Sequence, residues 1–152
     1  KERDRKGAKA KLEIVLDVNS FISALIKDSL SRKLIKVSGL NFYFPERAFK
    51  KIIKYKDYIL EKSGLSEEEF VIVVSVLLNY LQIVSDKDLE EYMKKAGAIF
   101  EKIDEEDVLF VACALYLKGK DENVVIWSDD KHFEKQNIVP ILKTKDLLSF
   151  VE

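Results

Sequence analysis

Two short runs of the sequence are apolar at all but one position, and each is closely followed by aspartate. They span residues 12–16, followed directly by Asp17, and residues 123–127, followed by Ser128 and then the pair Asp129 and Asp130. Runs this short and this apolar are typical of strands buried on both faces, as in parallel sheets covered by helices. Since parallel strands end at one edge of a sheet, these acidic residues are predicted to meet there.

Between and around these strands the pattern alternates between helices and further strands. Strands are also expected at residues 41–44 and 138–142, and helices at 19–26, 29–37, 46–62, 66–81, 85–97, 104–117 and 144–151. The 66–81 run is rich in β-branched residues, so a strand competes there, but Ser66 and Glu69 form a capping box that favours a helix. Pro140 places the last strand at the sheet edge. The predicted fold is α/β, with a mostly parallel sheet of four to five strands between helical layers.

Composition bounds the class of protein and its chemistry. The 152 residues are 47% hydrophobic and 35% charged, which suits a single globular domain over residues 12–152 after a mobile arm at 1–11. No apolar run is long enough to span a membrane and no signal peptide is evident, so a cytoplasmic protein is expected. The Lys- and Glu-rich composition resembles that of thermophile proteins.

One cysteine and one histidine exclude a disulfide framework and a zinc site built on several thiolates or imidazoles. Any metal must therefore be a hard cation such as Mg²⁺ or Mn²⁺, held by carboxylates. Asp17, Asp107 and Asp130 are the candidates, because Asp107 lies in the first turn of a helix expected to begin at the same sheet edge. Three carboxylates repel one another unless a cation lies between them. Each could instead serve only as a helix cap or complement a helix dipole.

The charge is balanced overall, at −1, but is unevenly distributed. Residues 27–62 contain ten Lys or Arg against four Asp or Glu, and residues 86–107 contain nine acids against four Lys. This asymmetry indicates a polyanion-binding face beside a metal-binding one, or simply the solvated faces of surface helices. The residues expected to contact a phosphate backbone are Arg47, Lys50, Lys51 and Lys54.

Three segments in order resemble the motifs of PIN domains. They are residues 15–25 (VLDVNSFISAL), 104–115 (DEEDVLFVACAL) and 126–133 (IWSDDKHF). The resemblance spans about residues 12–150 and implies a PIN-like three-layer fold. It implies that Asp17, Asp107 and Asp130 are the catalytic metal ligands. The supporting polar residues around them are Asn19, Ser128, Asp129, Asp104 and Glu46.

The activity implied by this resemblance is that of a Mg²⁺- or Mn²⁺-dependent endoribonuclease, such as the toxin of a toxin–antitoxin pair. The implied partners are RNA, an antitoxin protein and a second copy of the chain, with the apolar helix at 70–81 as an interface or, alternatively, a buried core helix. A receiver-type phospho-acceptor domain shares the parallel sheet, but the sequence offers no convincing phospho-acceptor aspartate.

One position departs from the family pattern. PIN domains usually carry a second acid on the helix after the second strand, and the preferred register places Lys51 there. Glu46 is the nearest acid and lies more than one helical turn earlier. A lysine at that position could pair with Asp17 in place of a metal, so the alternative function is a degenerate PIN domain that binds RNA or a protein without efficient catalysis.

Overall fold

The computed structural model describes residues 12–26, 30–99, 105–120, 123–135 and 138–150. The predicted arm at 1–11 and Asp104 lie outside these residues. The strands are β1 (Glu13–Leu16), β2 (Asn41–Pro45), β3 (Leu81–Val84), β4 (Val124–Trp127) and β5 (Ile141–Leu142). They form one sheet in the order β3-β2-β1-β4-β5, and every neighbouring pair is parallel. The predicted parallel sheet of four to five strands is confirmed.

Helices cover both faces of this sheet. They are α1 (Val18–Ile26), α2 (Leu30–Val37), α3 (Phe49–Lys54), α4 (Lys56–Ser63), α5 (Glu67–Leu78), α6 (Asp86–Ile99), α7 (Glu105–Lys118) and α8 (Thr144–Leu147), with short 3₁₀ helices at Glu46–Ala48, Lys131–Lys135 and Leu148–Phe150. Helix α7 packs against β1, β2, β4 and α6, whereas α1 contacts α2, α4 and α5. The architecture is the predicted three-layer α/β/α fold. None of the helices in the described ranges is both long enough and apolar enough to span a membrane.

The two central strands are buried on both faces. Ile14, Val15 and Leu16 of β1 have no exposed surface, and the four residues of β4 are all buried. The register places Leu16 beside Trp127, the last residue of each strand. Because the two strands end level with each other, the residues that follow them begin side by side at the carboxyl edge of the sheet.

Local signals in the sequence define several element ends. The Ser66 hydroxyl accepts the Glu69 N–H at 3.1 Å, and the Glu69 carboxylate accepts the Ser66 N–H at 3.0 Å, so the capping box begins α5 as predicted. Gly39 follows α2 and Gly64 ends α4, each with a φ of 72°. That conformation costs residues with a Cβ atom energy and is typical of a helix C-terminus.

Four predicted helices differ from the observed ones. The helix predicted at 144–151 is an α-helix only as far as Leu147 and continues as a 3₁₀ helix to Phe150. The helix predicted at 66–81 ends at Leu78, and Leu81 begins strand β3, which pairs with β2. Only the first and last residues of β3 are buried, so this strand lacks the alternation of buried and exposed residues that is typical of a strand with one face in the core. The helix predicted at 46–62 is interrupted at Tyr55, where φ is −94° and ψ is 10°. The helix predicted to end at Gly97 continues to Ile99, because an isolated glycine is tolerated inside a helix.

The last strand lies at the sheet edge, as Pro140 predicted, but it is only two residues long. Pro140 precedes it and has no N–H to donate. Its carbonyl oxygen accepts the N–H of Ile126 at 3.0 Å, so the proline still adds one hydrogen bond on the side that faces β4.

A chain of phenylalanine rings connects the elements around the carboxyl edge. The ring of Phe44, at the end of β2, lies 4.9 Å from Phe21 on α1, 5.1 Å from Phe49 on α3 and 6.1 Å from Phe110 on α7. Phe110 lies 6.3 Å from Phe133 in the 3₁₀ helix after β4. The packing of these rings sets the positions of the elements that follow β1, β2 and β4 relative to α7.

Candidate active site

Asp17 is a nearly buried carboxylate between β1 and α1, with 4% of its surface exposed. Its Oδ1 accepts the N–H of Ser20 at 2.7 Å, which caps the first turn of α1. Its Oδ2 accepts the hydroxyl of Ser128 at 2.5 Å. Asp17 therefore caps α1, which is one of the two roles that the sequence predicts for it. It also contacts Ser128, the residue that follows β4.

The environment of Asp17 opposes its ionisation. Burial raises the pKa of Asp17 above its ordinary value, and the negative charge of Asp130 raises it further. Hydrogen bonds from Ser128 and Ser20 act in the opposite direction, because they stabilise the carboxylate. A cation at this position would relieve both the cost of burial and the repulsion from Asp130.

Ser128 connects the two acids. It has no exposed surface, donates its hydroxyl hydrogen to Asp17 and accepts the N–H of Asp130 at 3.0 Å. The hydroxyl of Ser20 also donates to the carbonyl oxygen of Trp127 at 3.2 Å. These bonds hold the turn after β4 against the start of α1, so Asp130 lies at the same edge as Asp17.

Asp107 is half-buried in the first turn of α7. Since α7 leads into β4 and runs opposite to it, its first turn lies towards the carboxyl edge. In the described part of the chain, however, no three His, Cys, Asp or Glu side chains lie close enough together to hold one metal ion. The structure thus brings Asp17, Ser128 and Asp130 together, and Asp107 as a third ligand stays a prediction.

A polar cleft of about 280 Å³ opens beside Asp130. Its lining residues, which define the acidic cleft, are Asn19, Ser20, Ser23, Ser31, Asp129 and Asp130. Asn19 is exposed, so its amide faces this space from the first turn of α1. An amide donor next to a carboxylate suits the binding of a phosphate oxygen beside a cation.

Asp129 has a different set of partners from its neighbour. Its Oδ1 accepts the N–H of Thr144 at 2.9 Å, and its Oδ2 accepts the hydroxyl of Thr144 at 2.7 Å. The indole N–H of Trp127 donates to the same threonine oxygen at 3.0 Å. Both carboxylate oxygens of Asp129 therefore engage the first residue of α8, and they fasten the turn after β4 to this helix.

Glu46 and Arg47 follow β2 and contact Asp86, the first residue of α6. Oε1 of Glu46 accepts the N–H of Asp86 at 3.1 Å, and Nε of Arg47 lies 3.5 Å from Oδ1 of Asp86. Glu46 thus satisfies one of the free N–H groups at a helix N-terminus. Its carboxylate joins the β2 end to α6, and its role in a metal site stays a prediction.

A second cleft, of about 300 Å³, lies next to the start of α1. We call it the basic cleft; its lining residues are Val18, Arg47, Ala48, Lys50, Lys51, Met93, Leu109 and Phe110. Of the predicted RNA-binding residues, Arg47, Lys50 and Lys51 therefore lie together. Lys54 extends over the ring of Tyr55, with its Nζ 6.0 Å from the ring centroid.

Sequence reasoning missed two residues that shape this site, Ser20 and Thr144. An aspartate before a helix regularly accepts an N–H three residues later, so the Ser20 contact with Asp17 had a usable local signal. Thr144 had none, because it is 15 positions from Asp129 and the two meet only through the pairing of β4 with β5.

A sequence profile of the PIN domain matches residues 15–148. The chain therefore belongs to the PIN domain family, whose members are generally nucleases that use divalent metals. No curated protein matches the sequence at a significant level.

Two solved structures share the fold. One is a chain of the VapBC2 complex from Rickettsia felis, which is bound to a DNA fragment from the promoter of VapBC2. It has a TM-score of 0.62 at 16% identity, and the match covers 87% of this chain and 98% of that one. A chain of the DNA-bound VapBC complex from Salmonella typhimurium has a TM-score of 0.63 at 18% identity, covering 88% and 98%. At these identities the likeness establishes the PIN-like fold.

Proposed function

We propose that this protein is a Mg²⁺- or Mn²⁺-dependent endoribonuclease that hydrolyses RNA phosphodiesters at the carboxyl edge of its sheet. The observation that carries the proposal is the buried carboxylate of Asp17, fixed by Ser128 and facing the charge of Asp130. A fold needs no such arrangement for stability, since burial of the Asp17 carboxylate next to a second acid is costly. Membership of a family of nucleases supports the same conclusion.

The donor chemistry of this edge fits a hard divalent cation. Asp17 and Asp130 supply carboxylate oxygens, the ligands that Mg²⁺ and Mn²⁺ prefer, and Asp107 is proposed as the third ligand. When bound there, such an ion would lower the pKa of a water molecule and stabilise charge on the phosphodiester.

The residues of the chain have their own parts in this reaction. Ser20 and Ser128 hold the Asp17 carboxylate in one orientation by hydrogen bonds at 2.7 and 2.5 Å. Asn19, exposed in the acidic cleft, can donate its amide hydrogens to a phosphate oxygen. Lys50 and Lys51 place positive charge beside the acidic edge, where an RNA backbone would need it.

The biological setting proposed is that of the toxin in a toxin–antitoxin pair, with an antitoxin protein as the partner. The two VapBC structures that share the fold are toxin–antitoxin complexes, and each matched chain is covered almost completely. The cytoplasmic location stays a prediction from the sequence.

The direct test is cleavage of a labelled single-stranded RNA by the purified protein with Mn²⁺ and with EDTA. We expect cutting with Mn²⁺ and none with EDTA, because the proposed mechanism needs a bound ion to lower the pKa of the attacking water. Cutting at the same rate in EDTA would contradict a metal-dependent mechanism, and contaminating nuclease is excluded if an active-site variant purified in parallel is inactive.

A second function, binding of RNA or a protein without efficient catalysis, is favoured by the residues after β2. Glu46 is engaged at the start of α6, and Lys51 lines the basic cleft close to where PIN domains usually carry an acid. Calorimetric titration with Mn²⁺ separates the two functions. A folded protein that neither binds Mn²⁺ nor cuts RNA would be assigned this second function.

We also propose that the protein forms a homodimer through the outer face of α5. Phe70 and Leu77 of this helix are buried, but Val71 and Ile72 are 58% and 61% exposed, and the edge strand β3 adds Ile83 at 42%. The predicted core helix is therefore buried on one side only. Exposed apolar side chains on one helix and on the edge strand near it are typical of an interface between proteins.

Replacing Ile72 with Glu tests this interface. Each copy would bring a charge to the contact of a symmetric dimer, so we expect the variant to be monomeric under conditions where the unmodified protein is dimeric. Light scattering after size exclusion measures the mass, and Ile53→Glu is the matched control, because Ile53 is 72% exposed on α3. Equal masses for all three proteins would refute the proposed interface.

A further inference from the structure

We infer that the basic cleft is a binding site for one unstacked base of a single-stranded RNA, next to the position of cleavage. The inference rests on the proposed nuclease function and adds a subsite to it. The floor of the cleft is apolar, formed by Val18, Ala48, Met93, Leu109 and Phe110, and its rim carries Arg47, Lys50 and Lys51.

This combination matches the chemistry of a nucleotide. A base presents a flat apolar face, and the phosphates on either side of it are anionic, so one nucleotide complements both the floor and the rim. Lys50 is exposed, and Val18 and Met93 are only partly buried, so charged and apolar atoms are both accessible to a ligand. A volume of about 300 Å³ suits a small flat group.

The position of the cleft connects it with the acidic edge. Val18, in its floor, directly follows Asp17, and Phe110 lies one helical turn after Asp107. Asn19, the next residue of α1, lines the acidic cleft instead. Asp17 is therefore followed in the chain by residues of both clefts, and a strand with its base in the basic cleft would place its phosphate next to the metal site proposed at Asp17.

The arrangement of the cations favours a nucleic acid over an acidic peptide. Lys50 and Lys51 follow Arg47 by three and four positions, and all three side chains line the same cleft. Phosphates recur at every nucleotide beside a stackable base, whereas a peptide would need an aromatic side chain flanked by carboxylates. RNA is also the substrate proposed for the adjoining carboxylates.

Met93 provides a direct probe, because it is the only methionine in the sequence. Protein labelled with ¹³C at the methionine methyl group gives one signal from the floor of the cleft. We expect this signal to move upfield when a single-stranded RNA of about eight nucleotides is added in EDTA, because the ring current of a stacked base shields the methyl group. An abasic strand of equal length retains every phosphate, and we expect it to leave the signal unmoved and to bind at least about fivefold more weakly.

Charge reversal tests the rim separately. We expect Lys50→Glu to weaken RNA binding about tenfold and to reduce its salt dependence, since at least one phosphate contact is lost. The matched control is Lys36→Glu, an exposed lysine on α2, which contributes no residue to the basic cleft. Fluorescence anisotropy in EDTA measures both affinities without cleavage.

The inference is overturned if Met93 does not shift at RNA saturation, if the abasic strand shifts it equally, or if the two lysine variants bind RNA alike. Cleavage is measured separately with Mn²⁺ on the same RNA. A base-dependent Met93 shift without cleavage would support the cleft and refute the nuclease. Cleavage without that shift would support the nuclease and refute base binding in the basic cleft.

Discussion

Replacing Asp17 with Asn is expected to reduce Mn²⁺-dependent RNA cleavage by about 100- to 1,000-fold, because an ion that stabilises transition-state charge would lose one of its carboxylate ligands. The amide oxygen of Asn can still accept the N–H of Ser20, and the Ser128 hydroxyl can accept from the new amide. The fold is therefore retained while the negative charge is lost. Initial cleavage rates at saturating Mn²⁺ provide the measurement.

The stability of the same variant distinguishes a functional carboxylate from a structural one. A raised pKa in the folded state means that Asp17 contributes most to stability when protonated, below the ordinary pKa of 3.8. That contribution is lost as the pH rises through the raised value in the folded state. At neutral pH we therefore expect Asp17→Asn to be at least as stable in urea as the unmodified protein, and to lack this part of the pH dependence.

The control is Asp57→Asn, which removes one exposed carboxylate from α4 and should leave the cleavage rate unchanged. A variant at Asp17 that still cuts RNA within tenfold of the normal rate would show that this carboxylate is not a metal ligand. A variant that is inactive but also much less stable would assign it a structural role instead.

Replacing Phe44 with Ala is expected to lower the free energy of unfolding by about 3–5 kcal/mol. The Phe44 side chain is completely buried and its ring contacts three other phenylalanine rings, so its removal leaves a cavity at the centre of that group. The loss is a large part of the stability of a typical domain, which is about 5–15 kcal/mol. Urea unfolding followed by circular dichroism measures it.

Phe150→Ala is the control, because Phe150 is 42% exposed and its truncation should change stability by less than about 0.5 kcal/mol. Phe44→Leu preserves most of the volume and allows measurement if the alanine variant does not fold. A loss below about 1 kcal/mol for Phe44→Ala would mean that the ring group does not hold the edge elements together.

The parts of the fold that could be predicted are those with local causes. Strands β1 and β4 were evident from short apolar runs, and the start of α5 from a capping box. Strand β3 was missed because its cause is not local: it forms by pairing with β2, and its two middle residues are exposed. The break at Tyr55 also follows no proline or glycine in the sequence.

The candidate site also contains residues whose positions could be predicted from the sequence and residues whose partners could not. The acids after β1 and β4 could be expected to meet, since parallel strands end together, and the contact of Ser128 with Asp17 agrees with this. Glu46 and Asp129 have the same carboxylate chemistry as Asp17, but their partners are the N-termini of α6 and α8. Those partners depend on how distant segments pack, so residue type and spacing could not predict them.

The pairing of β1 with β4 also determines when during synthesis the site can exist. Asp17 and Ser128 are 111 positions apart in the chain, so their contact closes a very long loop and contributes to slow folding. Strand β1 is synthesised before β4, so the edge of β1 that pairs with β4 has no partner until β4 has followed it from the ribosome. The contact between Asp17 and Ser128 therefore cannot form until β4 has been synthesised.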